Sequence, residues 1–258
     1  MPGQETIPSR ADVRSYPLLR RGPWLFVWPG DPDLADECRL PQLPWLTDGS
    51  WTVVHGMQPL SARYELLIDN LLDLSHETYL HAGYIGTPEV AATPVFTEVD
   101  EENAIVRVSR HMHAVACPPF YARSTGIESP IDRWQDIEYH APGIYVLHSR
   151  IAPVGLAADQ EHLAAHVKVL YGITPSTSSS TYDFWLVARD FALDDTEVSD
   201  FLATMNDQVV MQDVEALNEL ELRVSADDDP FEVNIKIDRG GLHARRVVGQ
   251  LVDAENGA

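Results

Sequence analysis

The sequence predicts an α+β domain in which a train of antiparallel strands is followed by one long helix. Three observations carry that expectation. Strand-like stretches rich in β-branched and aromatic residues follow one another from Ala104 to Phe191. Turn-prone links such as Asp100-Glu-Glu-Asn103, Ala141-Pro-Gly143 and Pro175-Ser-Thr-Ser-Ser separate them, which favours a meander over βαβ units. The longest helical pattern, about Asp195 to Arg223, comes only after the last strand.

In chain order, Val13 to Leu19 and Trp24 to Trp28 read as two short strands, with Gly22-Pro23 turning between them and Pro29-Gly-Asp-Pro32 closing the second. Residues 31–50, rich in Pro, Asp and Gly, read as a connector. Trp51 to His55 is a strand candidate, and a helix is expected from about Arg63 to Leu80. Ala91–Thr97 then leads into strands at Ala104–Val115, Ile131–Tyr139, Ile144–Ala152, His166–Ile173 and Tyr182–Phe191. In the long helix, Asp194 or Asp195 caps the start and Glu197 favours the dipole. Its apolar stripe runs Val198, Leu202, Met205, Val209, Ala216 and Leu220, with Asp213 bridging the one gap some 40–50° from the stripe's centre. A carboxylate on a buried face needs a partner, an ion pair or a metal. A final helix is expected from about Arg239 to Ala254.

The chain has 258 residues and is 45% hydrophobic, enough for one large core or a domain with a small appendage. Its net charge of −22 repels phosphate backbones and argues against nucleic acid as a partner. No apolar run is long enough to span a membrane. The opening Met1-Pro-Gly-Gln-Glu-Thr has neither the basic nor the apolar region of a secretory signal. With two cysteines only, Cys38 and Cys117, a disulfide framework is excluded and the cytoplasm is the expected compartment.

Chemistry concentrates in Asn70-Leu-Leu-Asp73-Leu-Ser-His76-Glu-Thr-Tyr-Leu-His81-Ala-Gly83. On a helix Asn70, Asp73 and His76 share a face, whereas His81 lies about 140° round from His76. Gly83 offers a helix stop that lets the chain end near Tyr79 or Leu80 and swing His81 back. Two imidazoles and Asp213 would form a two-histidine, one-carboxylate set, suited to ferrous iron and oxygen chemistry. Asn70 and Asp73 would then orient a histidine or carry protons and electrons. On spacing alone, an amphipathic helix with two ordinary histidines explains the stretch equally well.

These residues also resemble a known family. Asn70-x2-Asp73-x2-His76-x4-His81 is similar to the iron-binding signature of the Rieske-type aromatic-ring-hydroxylating oxygenases, in the branch that demethylates vanillate. Ile68 through Ala82 reads almost continuously like that branch, as do Leu25 through Asp31, Pro118-Pro-Phe120, Ile131-Asp-Arg-Trp134, Ile173-Thr-Pro175 and Asp238 through Val247. Gln212-Asp213-Val-Glu215 falls where the family supplies its third ligand. The resemblance implies His76, His81 and Asp213 as Fe(II) ligands. It implies Asp73 as the carboxylate linking a neighbouring subunit's cluster to an iron-bound histidine, and Asn70 as an amide near the metal. It implies a helix-grip (START/Bet v1-like) domain, a trimer, and oxidative demethylation or hydroxylation of an aromatic acid with dioxygen.

One departure matters. A Rieske [2Fe–2S] cluster needs Cys-x-His and Cys-x2-His, but Cys38 is followed by Arg-Leu-Pro and Cys117 by Pro-Pro-Phe. This chain alone is therefore not expected to bind the cluster. Residues 1–42 are read as remnant strands of the cluster lobe with a connector, and 43–258 as the catalytic domain. Electrons are expected from a Rieske protein or a missing segment, with a reductase. Two rivals remain at this point: a catalytically silent binding module of the same fold, and a zinc hydrolase using the same three ligands.

Among other residues, Phe120, Tyr121, Trp134, Tyr171 and Trp185 could line an aromatic pocket or simply fill the sheet core. Tyr171, Phe120 and Trp134 are the substrate-contact candidates, Tyr171 foremost. His111 and His113 share a strand face, where exposed histidines are commoner than a second metal site. Cys117 reads as a packed side chain.

Overall fold

Alternation of period two decides the centre of this fold. In the computed structural model, which describes residues 3, 11, 13–226 and 232–257, two compact units separate at Gly49 and Ser50. The first holds a hairpin of β1 (Leu18–Arg21) and β2 (Trp24–Val27), with Leu18 opposite Val27 and Arg21 opposite Trp24. The first strand thus starts at Leu18, later than the expected Val13. Gly22 sits at the turn with φ +56, and a Cβ there would lie 2.1 Å from the Leu46 carbonyl oxygen.

The second unit is a seven-stranded antiparallel sheet with helices packed on it. Its strands are β3 (Thr52–Leu60), β4 (Phe96–Asp100), β5 (Ile105–Val115), β6 (Ile131–His140), β7 (Ile144–Pro153), β8 (Ala165–Thr177) and β9 (Ser180–Arg189). The order is β3-β9-β8-β7-β6-β5-β4, a continuous meander from β4 to β9 with β3 returning beside the last strand. Every pairing is antiparallel, as the short links demand. On β6 the buried residues are Ile131, Arg133, Gln135, Ile137 and Tyr139, with their neighbours facing outward. An arginine and a glutamine thus point into the core side of the sheet.

The helices are α1 (Tyr64–Leu72), α2 (Glu77–Leu80), α3 (Pro88–Ala92), α4 (Pro119–Thr125), α5 (Thr196–Ser225) and α6 (Arg239–Asn256). Asp195 caps α5, accepting the Val198 N–H at 3.0 Å. The buried face of α5 is Leu202, Asn206, Val209, Asp213, Leu217 and Glu221, flanked by Val210 and Val214. The expected stripe is corrected here: Leu220 is 43% exposed, and Asp213 lies on the buried line itself. Steps of four, three, four, four and four continue through the three polar positions, so the helix does not need to skip from Val209 to Ala216. At its far end Arg63 clamps α5, its Nε and Nη2 donating to Glu221 Oε2 and Oε1 at 2.8 and 2.6 Å. Among the described residues no helix is long and apolar enough to cross a membrane.

Candidate metal centre

The histidine-bearing segment is broken where its pattern predicts a single helix. Helix α1 stops at Leu72, and Asp73 leaves helical geometry with φ −107 and ψ 87. Its carboxylate accepts the Ser75 N–H at 2.9 Å, capping a 3-10 turn over Leu74–His76. Helix α2 then runs one turn to Leu80, and His81 departs with φ −106 and ψ 24. The stop at Leu80 matches the expectation, with Gly83 at φ +86 just beyond. The shared face of Asn70, Asp73 and His76 does not survive, because the break re-aims everything after Leu72. Asn70 stays on α1 with a buried Nδ2 lacking a hydrogen-bond partner, and it is not among the residues lining the cavity described below.

The loop after α2 folds back tightly. Gly86 N–H donates to the His81 carbonyl at 3.1 Å, and a Cβ at Gly86 would lie 1.7 Å from the Glu77 carbonyl oxygen. Only glycine permits that approach. The result sets the two imidazoles edge to face, ring centroids 5.0 Å apart and planes 81° to each other.

Asp213 meets them from α5. Its Oδ1 lies 3.3 Å from His81 Nε2 and 3.6 Å from His76 Nε2, and one donor atom from each residue falls within 4.8 Å of the others. Both Nδ1 atoms are occupied elsewhere. His76 Nδ1 meets the Asp73 main-chain carbonyl, and His81 Nδ1 lies 2.8 Å from Gln212 Oε1. With those two oxygens accepting, each Nδ1 carries the proton and each Nε2 turns a lone pair toward Asp213. It is the carbonyl of Asp73, not its carboxylate, that steadies a histidine. Burial opposes protonation of His81, yet the neighbouring Asp213 carboxylate raises its pKa above the usual value. Asp213 is 6% exposed and its Oδ1 is buried without a hydrogen-bond partner. Leaving such an atom unmet costs about 1–3 kcal/mol. Two neutral nitrogens and one unmet carboxylate oxygen are a donor set that a first-row divalent ion satisfies.

Beside the three donors lies a cavity with about 590 Å³ of empty space, its open mouth included. Like small-molecule sites in general, it has mostly apolar walls and a few polar groups. Phe120 and Tyr171 line it as expected, with Tyr121. Trp134 does not, and that expectation is corrected. It occupies the outer face of β6, where the Arg150 guanidinium stacks 4.3 Å from its ring centroid. Trp185 fills the core instead, its ring taking the space a side chain at Gly56 would need. His111 and His113 pair with Asp136 and Asp132 on the exposed surface; among the described residues the only potential metal cluster is His76, His81 and Asp213. Burial pushes the Cys117 thiol up to about 11, consistent with a packed and unreactive side chain.

Four cavity residues carry polar chemistry that pattern reading passes over. Glu77 is 3% exposed; its carboxylate accepts from Arg133 Nη2 at 3.1 Å and Gln135 Nε2 at 2.9 Å. Arg133 also donates to the Ile85 carbonyl at 2.9 Å and stacks over the Tyr121 ring. Tyr145 stands edge-on to Tyr171 at 5.5 Å. Asn206 lies two turns before Asp213 on α5, a spacing of seven that is visible in the sequence and places it on the same face.

Comparison with known proteins gives a consistent result. The family model described as the vanillate O-demethylase oxygenase C-terminal domain matches residues 60–254. The vanillate O-demethylase oxygenase subunit of Pseudomonas sp. (strain ATCC 19151) is 33% identical over 254 residues, covering 95% of this chain and 76% of that protein. The oxygenase component of dicamba O-demethylase from Stenotrophomonas maltophilia is 28% identical, covering 87% of this chain and 66% of its own length. Among solved structures, dicamba monooxygenase bound to 3,6-dichlorosalicylic acid superposes with a TM-score of 0.88 at 25% identity, over 98% of this chain and 74% of that one.

Proposed function

Since this chain belongs to the vanillate O-demethylase oxygenase C-terminal domain family, and so carries the catalytic domain of a Rieske-type oxygenase, we propose that His76, His81 and Asp213 hold Fe(II). The adjoining cavity then receives a methoxylated aromatic acid for oxidative O-demethylation. The convergence of two imidazole nitrogens on a buried, unpartnered carboxylate oxygen carries this reading. When bound, the iron supplies dioxygen chemistry at the methyl carbon, so that with two electrons and two protons the ether yields a phenol, formaldehyde and water.

The chain's own side chains prepare that site. Gln212 and the Asp73 carbonyl hold the two imidazoles in the tautomer that frees Nε2. Leu71, Leu74, Leu147, Val167, Val169 and Val209 make the walls largely apolar, excluding water from a reactive centre. Phe120 and Tyr171 offer flat surfaces against which an aromatic ring packs. Glu77 and Arg133 neutralise each other at the cavity wall and so stay in place without drawing in counter-ions.

Electrons come, in this proposal, from a Rieske cluster outside this sequence, fed by a reductase and handed over near Asp73, with Asn70 beside the route. Residues 1–42 correspond to the closing strands of a cluster lobe with its connector, and 43–258 to the catalytic domain. The assembly is a cytoplasmic trimer, as in the family the sequence resembles. The test is metal analysis of protein purified without chelators, then turnover of vanillate with a reductase and a separately supplied Rieske protein. Stoichiometric iron and formaldehyde release are expected. Zinc in the site with hydrolysis and no oxygen uptake would overturn the reading.

A further inference from the structure

Three neutral side chains that line the cavity, Asn206, Tyr145 and Tyr171, can donate a hydrogen bond. Asn206 is 6% exposed, and its Nδ2 is buried with no hydrogen bond. The hydroxyls of Tyr145 and Tyr171 belong to residues that line the cavity, and burial raises both phenol pKa values well above normal and so keeps them protonated. All three are donors. The one cation among the lining residues, Arg133, has its charge met by Glu77 on Nη2 and donates to the Ile85 carbonyl from Nη1, with only Nε unmet. Away from Asp213, these donors are therefore placed to meet an acceptor on a bound molecule.

Their position relative to the metal donors is set by α5. Seven residues separate Asn206 from Asp213, which returns the side chain to within about 20° of the same face and roughly 10 Å along the axis. That is close to the span of a benzene ring carrying a substituent at each end. Tyr171 on β8 and Tyr145 on β7 are paired strand neighbours, so their rings form the wall opposite the helix.

We propose that Asn206 reads the end of the substrate remote from the iron, donating from Nδ2 to a carboxylate placed para or meta to the methoxyl group. This rests on the reading above and narrows it: the substrate class is a methoxybenzoate whose acid lies across the ring, with the acid held by neutral donors and not by an arginine. A carboxylate accepting several hydrogen bonds remains ionised without a counter-charge. An ortho acid places its acceptor beside the metal, out of reach of Asn206.

Titration calorimetry under anaerobic conditions, on iron-loaded and on metal-free protein, tests this with 4-methoxybenzoate, 2-methoxybenzoate and methoxybenzene as probes. Asn206→Ala should weaken 4-methoxybenzoate about tenfold, the loss of one hydrogen bond to a charged group, and leave methoxybenzene unchanged. Asn206→Asp should weaken 4-methoxybenzoate further, because a second carboxylate faces the first. Asn206→Ser, smaller but still polar, replaces the alanine variant should that melt early, with the same ranking of ligands expected. Equal losses for all three ligands, no loss for any, or wild-type protein that prefers the ortho acid would overturn the assignment. Iron content of the wild type, measured in parallel, keeps the two readings apart: a protein that excludes iron sinks the demethylase, whereas the ligand ranking alone judges Asn206.

Discussion

The two halves of the proposed metal centre are built in opposite ways. The histidines ride on a segment that breaks at Asp73, turns through a 3-10 stretch and ends after a single turn of α2. The carboxylate rides on α5, thirty residues of uninterrupted helix. The difference follows from geometry. Residues five apart on a straight helix diverge by about 140°, so two histidines at that spacing converge only if the backbone is reshaped around them. A lone ligand needs no such adjustment and gains from the stiffest available platform. One half is therefore shaped by local caps and a close glycine approach, the other by burial along its whole length.

Ligand loss should break the comparison outright. Asp213→Ala is expected to leave the purified protein nearly free of iron while its circular dichroism is unchanged, because α5 keeps its other buried contacts. Elemental analysis decides it. Asp73→Asn is expected to retain iron while sharply slowing reduction by a Rieske donor, since the main-chain carbonyl that steadies His76 remains. Normal reduction in stopped-flow measurements would remove Asp73 from the electron route.

Support on the helix side should matter less. Gln212→Leu frees His81 Nδ1 from its acceptor and should weaken metal affinity about 10- to 100-fold, measured by competition with a chelator. The anchoring of α5 is subtler and depends on pH. Arg63 holds the Glu221 carboxyl at about 2, below its ordinary 4.5. A depressed carboxyl pKa means stability that is full above about 4.5 and lost as pH falls toward 2. Glu221→Gln should therefore lower stability by roughly 1 kcal/mol at pH 7, with the gap to wild type closing through that acidic window in urea titrations. A gap that stays constant down to pH 2 would show that the clamp contributes nothing through charge.

How much of this is legible in the sequence depends on whether the controlling interaction is local. The strand train from Ile105 to Arg189 is, since alternation and turn residues act within each hairpin, and the start and end of α5 are set by Asp195 and its own pattern. The stop after Leu80 is signalled by Gly83. The break at Asp73 is not, because Ile68 to Leu80 is a good helical pattern and the competing Asp73–Ser75 cap is one of several local options. Trp134 shows a different obstacle. Alternation on β6 gives two faces but does not say which is inward, and Trp134 resembles a core residue more than Arg133 or Gln135 does. The reverse holds because Glu77, fifty-odd residues earlier, accepts a hydrogen bond from each of those two side chains inside. The family resemblance names His76, His81 and Asp213, which the structure brings together; it gives no hint of Asn206.

The unmet Asp213 oxygen has a consequence for anyone preparing the protein. A largely apolar pocket with two imidazole lone pairs and an idle carboxylate does not discriminate among divalent ions by charge, and binding strength at nitrogen and oxygen donors rises from iron through cobalt and nickel to copper, with zinc also above iron. On the proposed reading, material produced in rich medium, or passed over a nickel column, fills with whichever of these is at hand. Such mismetallated protein would look folded and loaded while being inert toward oxygen, so loading with ferrous salt under argon belongs before any assay of its activity.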